Sequence, residues 1–263
     1  MLKYTNLLET NMSKISLVIP LYNEDTNLQK GVMDKIGNYI QNNQNFMEVI
    51  IVDDGSDDTS KEIIKSKYLP VFNKFHLVEN RHKGKASAII TGIKRAKGEY
   101  VMFSDIDLAT PIEEAEKLIE PLSQGFDIVI GSRKSERKGA PILRKIMALG
   151  AIIIRDILID LNGIKDTQCG FKIFKTSAAK EIINKLIVYS KSKIVKGSSV
   201  SAGFDMEFLF VANKLGHKIK EVPVTWTHVE TKNVNFLKDS YNALKDILMI
   251  KNLERKKKYD FKK

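Results

Sequence analysis

Short apolar runs bounded by turn residues alternate with stretches of helical period along the first half of this chain. "ISLVIP" (15–20), "MEVIIVDD" (47–54), "FHLVEN" (75–80), "EYVMFSDID" (99–107) and "FDIVIGSR" (126–133) read as buried strands. Between them lie helical patterns. One covers 26–44, with Leu28, Val32, Ile36 and Ile40 at helix spacing. A second opens at "TSKEII" with Thr59 or Ser60 as N-cap and Glu62 in the first turn. "KASAIITGIKRAK" is a helix stopped at Gly98, and "TPIEEAEKLIEPL" is one with Pro in its first turn. The second half is less regular. "AAKEIINKLI" and "GFDMEFLFVANKLG" predict helices and "KIKEVPVTWTHV" a strand. "NVNFLKDSYNALKDILMIKNLERKKK" predicts a basic amphipathic helix with Phe236, Leu237, Tyr241, Leu244, Ile247, Leu248 and Ile250 in its apolar stripe.

Strands alternating with helices of this length imply βαβ units, hence an α/β fold with a mostly parallel central sheet flanked by helices. In such sheets ligands bind beyond the carboxyl ends of the strands. Four polar turns fall at such ends: "NE" at 23–24, "DDGSDD" at 53–58, "DID" at 105–107 and "GSR" at 131–133. One cleft is expected to gather them. Asp105 and Asp107 close the strand predicted over 99–107, so their side chains share one face and converge on one spot. Two carboxylates so placed repel each other unless a cation lies between them.

Composition narrows the partner. The chain has 263 residues and a formal net charge of +11, enough for one α/β domain and biased towards anionic ligands or surfaces. Part of the excess is the tail "KNLERKKKYDFKK", with seven basic and two acidic residues. The single cysteine, Cys169, allows no internal disulfide and fits a reducing compartment; it reads as a packed small residue. The longest apolar stretch, "IMALGAIII", is flanked by Lys145 and Arg155 and falls short of the roughly 18 to 20 residues of a membrane span. The first residues show no signal-peptide pattern, so the expected location is cytoplasmic, with any membrane contact peripheral and on the cytoplasmic face. The four histidines have no metal-ligand spacing, and neither GxGxxG nor GxxxxGK[ST] occurs. Nucleic-acid binding would account for the charge but not for acidic strand ends, and no aromatics interleave a basic face. The cation that suits the aspartates is Mg²⁺ or Mn²⁺, holding a diphosphate.

The segments "SLVIPLYNE", "VIIVDDGSDDT", "NRHKGKASAIITGIKRAKGEYVMFSDIDLATP", "GSR" and "DTQCGFKIF", in this order, resemble the family 2 glycosyltransferases, and within them the polyprenol-phosphate sugar transferases of the dolichyl-phosphate glucosyl and mannosyl type. The resemblance runs from about residue 15 to residue 250. It implies a GT-A fold, a nucleotide-sugar donor, a divalent metal and inversion at the anomeric carbon. It divides the chain into an extension (1–14), a transferase domain (15–230) and an acceptor-side loop with the C-terminal helix (231–263).

Carried over by motif, the resemblance puts Pro20, Tyr22 and Glu24 in the nucleotide pocket and Asp53 or Asp54 against base or ribose. Asp105 and Asp107 take the metal and diphosphate. Lys83 and Lys85 lie in a donor-side loop. Asp166 and Gln168 fall near donor sugar or acceptor, and Lys172 near phosphate. Asp205 and Glu207 are supporting residues, and His228 is a surface histidine within possible reach of the metal. Where the mannosyl type has Gln two positions after the second Asp, this chain has Ala109; "DIDLAT" follows the glucosyl pattern, which points to UDP-glucose with GDP-mannose as the alternative. A polyprenyl phosphate acceptor is already anionic near neutral pH and needs no general base. It needs a cationic clamp instead, for which Arg133 and Arg144 are the candidates and Lys232 a weaker one. The basic C-terminal helix is expected to lie on an anionic leaflet, directly or through a separate membrane protein. A non-lipid glycan acceptor, or nucleotide-sugar binding without turnover, are the other readings.

Overall fold

A computed structural model describes residues 14–133, 155–156, 158–159, 161, 163–189, 202–227 and 236–261; in the helices at 202 and 236–240 it describes the backbone alone. Arg144, His228 and Lys232 lie outside the described residues. The strands are β1 (Ile15–Leu21), β2 (Phe46–Asp53), β3 (Phe75–Glu79), β4 (Tyr100–Ser104), β5 (Ile128–Arg133), β6 (Phe171–Lys175) and β7 (Ile219–Val224). They form one sheet in the order β3-β2-β1-β4-β6-β5-β7. Only β6 runs antiparallel to its neighbours, so the carboxyl ends of the other six share one edge with the start of β6.

The central strands β1, β2 and β4 are largely apolar because both faces of the sheet are covered there, whereas the edge strands β3 and β7 are half exposed. Period-2 alternation sends Val18, Ile50, Val52, Val101 and Phe103 to one face and Leu17, Ile19, Val49, Ile51 and Met102 to the other. The first face packs against α4 (Lys85–Arg95), α6 (Thr176–Lys185), α7 (Ala202–Lys214) and α8 (Phe236–Arg255). The second packs against α1 (Asp25–Gln29), α2 (Val32–Asn42), the π turn Ile64–Tyr68 that continues α3 (Ser60–Ile63), and α5 (Ala115–Ser123).

Four expectations need correction. The helix expected over 26–44 is two helices, because Gly31 takes the left-handed conformation between them (φ 76°); Leu28, Val32, Ile36 and Ile40 are nevertheless all buried. Helix α4 ends at Arg95, before Gly98. Beyond it Lys97 N–H donates to Glu48 Oε1 (2.9 Å) and Gly98 N–H to Ser16 Oγ (2.9 Å), so buried side chains of β1 and β2 turn the chain, not a glycine cap. Strand β4 ends at Ser104, so Asp105 and Asp107 stand in the turn beyond it and strand periodicity does not align them. The last helix carries four basic against three acidic residues; the lysine run begins only after it, at Lys256. Its apolar positions also divide, with Ile247 and Ile250 in the core and Tyr241, Leu244 and Leu248 in solvent.

Candidate active site

The shared edge brings together the ends of β1, β2 and β4, the start of α4 and the start of β6. At the end of β1, Asn23 adopts φ 53° and is held by the β2–α3 turn. Asn23 N–H donates to Ser56 Oγ (3.0 Å), Asp57 N–H donates to Asn23 Oδ1 (3.0 Å), and Glu24 N–H donates to Ser60 Oγ (2.7 Å). The N-cap of α3, Thr59, makes no hydroxyl cap; the Ser60 N–H donates instead to Asp58 Oδ1 (2.8 Å). The Glu24 carboxyl lies above its ordinary pKa because of burial, with Asn27 opposing and the negative charge of Asp107 and Asp105 adding to it.

Asp53 and Asp54, at the end of β2, are buried and serve neighbouring loops. Asp53 Oδ1 accepts from Ser56 N–H (3.2 Å). Asp54 accepts from Gly84 N–H (2.6 Å) and Lys83 N–H (3.1 Å), and His82 Nδ1 lies 2.9 Å from its Oδ2. The His82 ring stacks on Tyr22 with centroids 4.0 Å apart and planes 10° from parallel. Asp54 thus fixes the "HKGK" loop and, through His82, the face of Tyr22. Pro20 is a strand residue of β1, paired with Val52.

The central pair is Asp105 and Asp107. Asp107 Oδ1 accepts from Ala109 N–H (3.0 Å), and its carboxyl is held above the usual range by burial, with repulsion from Asp105 adding to it. Asp105 Oδ1 is buried without a directed hydrogen bond, and Lys85 Nζ lies 2.5 Å away as its counter-charge. Burial alone would lower the pKa of Lys85; Asp105, with Asp205 and Asp107 behind it, raises it. Gly170, at the start of β6, explains why the Asp105 carboxylate fits: a Cβ there would stand 2.1 Å from Asp105 Oδ2. Two carboxylates that repel each other suit a hard divalent cation. Among the described residues no cluster of three or more His, Cys, Asp or Glu forms a complete cage, so Asp105 and Asp107 would hold such an ion together with ligand oxygens.

Arg133 and Asp166 come together at the end of β5. Arg133 Nε donates to Asp166 Oδ2 (2.7 Å), Nη2 to Oδ1 (2.8 Å), and the Arg133 main-chain N–H to Oδ2 (2.9 Å). Glu221 on β7 fixes the same loop by accepting from Asp166 N–H (2.7 Å). The pairing raises the pKa of Arg133. Burial would raise that of Asp166, but Arg133 lowers it further. Gln168 donates from Nε2 to Thr167 Oγ1 (3.2 Å).

Lys172 is placed beneath the cleft floor, not facing it. It is 1% exposed and its ammonium donates to Cys169 O and Asp205 Oδ1, both at 2.6 Å. Burial pushes the Cys169 thiol up to about 11, which fits packing and not attack. Glu207, fully buried, accepts from the N–H groups of Ile187, Val188 and Tyr189 and from the Tyr259 hydroxyl. Gly170, His82 and Trp226 carry much of the geometry; the first two lie inside the quoted motifs without a site role assigned to them, and Trp226 lies in none. Trp226 lines the cavity over Asp105 and Asp107, and no local pattern in the sequence announces that.

The sheet is parallel but for one reversed strand, and carboxylates gather at its carboxyl edge. The model of glycosyl transferase family 2 matches residues 16–183, and this chain belongs to that family. Its relatives include a dolichyl-phosphate beta-glucosyltransferase of Trichomonas vaginalis, 34% identical over 82% of this chain and 66% of the relative. The mouse protein of the same name is 31% identical over 90% of this chain and 75% of its own length. The chain therefore spans just under two thirds of the first relative and three quarters of the second. Among solved structures, glucosyl-3-phosphoglycerate synthase of Mycobacterium tuberculosis, in complex with Mn²⁺, UDP and glucosyl-3-phosphoglycerate, superposes with a TM-score of 0.63. It is 19% identical, with 91% of this chain and 80% of that one covered. Mannosyl-3-phosphoglycerate synthase of Rubrobacter xylanophilus gives 0.61 at 14% identity, over 94% and 76%. The fold is GT-A.

Proposed function

We propose that this protein transfers glucose from UDP-glucose to a polyprenyl phosphate with inversion at C1. The observation that carries the reading is the Asp105–Asp107 pair, with Lys85 set against Asp105, at the sheet edge of a family 2 chain. The names of the relatives support the acceptor, and the UDP and Mn²⁺ in the solved neighbour support the donor and the metal.

Asp105 and Asp107 would hold a divalent ion, which when bound neutralises charge developing on the leaving diphosphate. Lys85 adds positive charge at the same place, and an ammonium freed from Asp105 can meet a phosphate oxygen. Tyr22, stacked on His82, supplies the wall of the base pocket. The acceptor phosphate oxygen attacks C1 on the face opposite the diphosphate: its bond to C1 forms as the C1–O bond to UDP breaks. No side chain has to take a proton, since the nucleophile arrives ionised. What remains for the protein is alignment and charge, with Arg133 on the acceptor side, its guanidinium pre-oriented by Asp166.

Access to a lipid acceptor is the role of α8. Tyr241, Leu244 and Leu248 recur on one face at helix spacing and are exposed, Tyr241 by 68%. Lysines follow at 256–258. Such a face suits the surface of an anionic leaflet. Among the described residues no helix is long and apolar enough to cross a membrane.

The test is the configuration of the lipid product by proton NMR after incubation of UDP-glucose, Mn²⁺ and a short polyprenyl phosphate. A β-glucosyl phosphate supports the reading; an α-linked product or glucose on a water-soluble acceptor only overturns it.

A further inference from the structure

Trp226 is fixed over the cleft by main-chain ties on both sides. Thr225 N–H donates to Glu114 Oε2 (2.9 Å), and Thr227 N–H donates to Ala109 O (2.8 Å), so the residue between them follows the loop that carries Asp107. Its indole lines the small cavity over the carboxylate pair together with Asp105, Asp107, Ala109, Thr110 and Gly170. Ala109 ends in a methyl group, so the space between that loop and the indole stays open. The Arg133 guanidinium carbon lies 5.7 Å from the ring centroid, and Arg133 is itself held by Asp166. The ring is thus oriented by its surroundings, yet 40% of the residue is exposed to solvent. An oriented, exposed aromatic beside groups suited to a diphosphate stands where the next part of that ligand must lie.

We propose that Trp226 is the platform for the donor hexose and that it selects glucose by its ring face. This deepens the proposed function and rests on its reading of the cleft as a nucleotide-sugar site. In an α-linked gluco donor the face opposite the diphosphate carries only C–H bonds, and its part remote from C1 packs on the indole while C1 stays open to the acceptor. An axial hydroxyl, at C4 in galactose or C2 in mannose, can place a polar group against the ring with no partner and weaken the stack.

Trp226 is the chain's single tryptophan, so its fluorescence reports this site alone. With Mn²⁺ present, UDP-glucose shifts the emission to shorter wavelength by excluding water from the indole, and UDP does so less. By calorimetry UDP-glucose binds about tenfold more tightly than UDP-galactose. Trp226→Ala removes that preference while UDP binds as before, and Trp226→Phe keeps most of it. The inference is overturned if Trp226→Ala retains the preference, if it weakens UDP itself to the same extent, or if only the KM for polyprenyl phosphate rises. Failure of the wild-type chain to bind any uridine nucleotide overturns the underlying reading of the cleft, a result distinct from UDP binding without sugar discrimination.

Discussion

Gly170 and the Asp105 carboxylate occupy one space, and that sets the sharpest expectation at the scale of single residues. In Gly170→Ala the new methyl group would stand 2.1 Å from Asp105 Oδ2. Asp105 is the end of a side chain and gives way, so the fold persists while the carboxylate moves. Turnover should fall by about 10²-fold, the usual consequence of misplacing a catalytic group by about 1 Å, with an unchanged melting temperature; equal loss of both would contradict this account. The Arg133–Asp166 pair makes a prediction about pH. Arg133 keeps the Asp166 pKa below its ordinary value in the folded chain, so on acidification the unfolded chain takes up this proton first. The stabilisation is therefore whole above the ordinary carboxylate range and is lost as pH falls through the lower, folded value. Asp166→Asn should flatten the acid limb of the stability profile measured by urea unfolding between about pH 5 and 2, and an unaltered limb would remove Asp166 from it. At this scale the sequence showed which aspartates matter but not their geometry. Asp105 and Asp107 converge in a turn, and their fit depends on Gly170, sixty-five positions away. His82 meets Tyr22 across 60 positions, and Trp226 lines one cavity with Ala109 across 117, gaps that no local pattern reveals.

Elements were more legible, because both faces of the sheet are buried at its centre and apolar runs then mark strands directly. The direction of β6 was not, since five residues between a turn and a helix read the same either way; only pairing with β4 and β5 sets it. Nor was the break between α1 and α2. Leu28, Val32, Ile36 and Ile40 keep helix spacing across it, and the signal is the single Gly31. Its left-handed backbone should make Gly31→Ala cost about 1–2 kcal/mol, a fall in melting temperature of about 2–8 °C for a domain of this size. No fall by calorimetry would mean that the two helices merge without penalty.

For the whole molecule, the C-terminal region joins the site to the surface. Tyr259 donates to the buried Glu207, whose carboxylate also gathers the N–H groups of 187–189, and Tyr189 donates to Asp246 on α8. Two residues before Glu207 on α7, Asp205 holds Lys172 beneath the cleft. The helix proposed to meet the membrane is thus braced against the floor of the cleft. Replacing Tyr241 and Leu248 by Asp should abolish co-sedimentation with phosphatidylserine vesicles and leave transfer to a detergent-dispersed acceptor intact; retained sedimentation would assign the docking surface elsewhere.

The measurement that tests the central claim most directly is transfer of radiolabel from UDP-glucose and, in parallel, from GDP-mannose to a short polyprenyl phosphate, each with and without EDTA. The account predicts label in the lipid phase from UDP-glucose alone, lost with EDTA and restored by Mn²⁺. Label from GDP-mannose alone, transfer indifferent to EDTA, or no lipid product from either donor would contradict it.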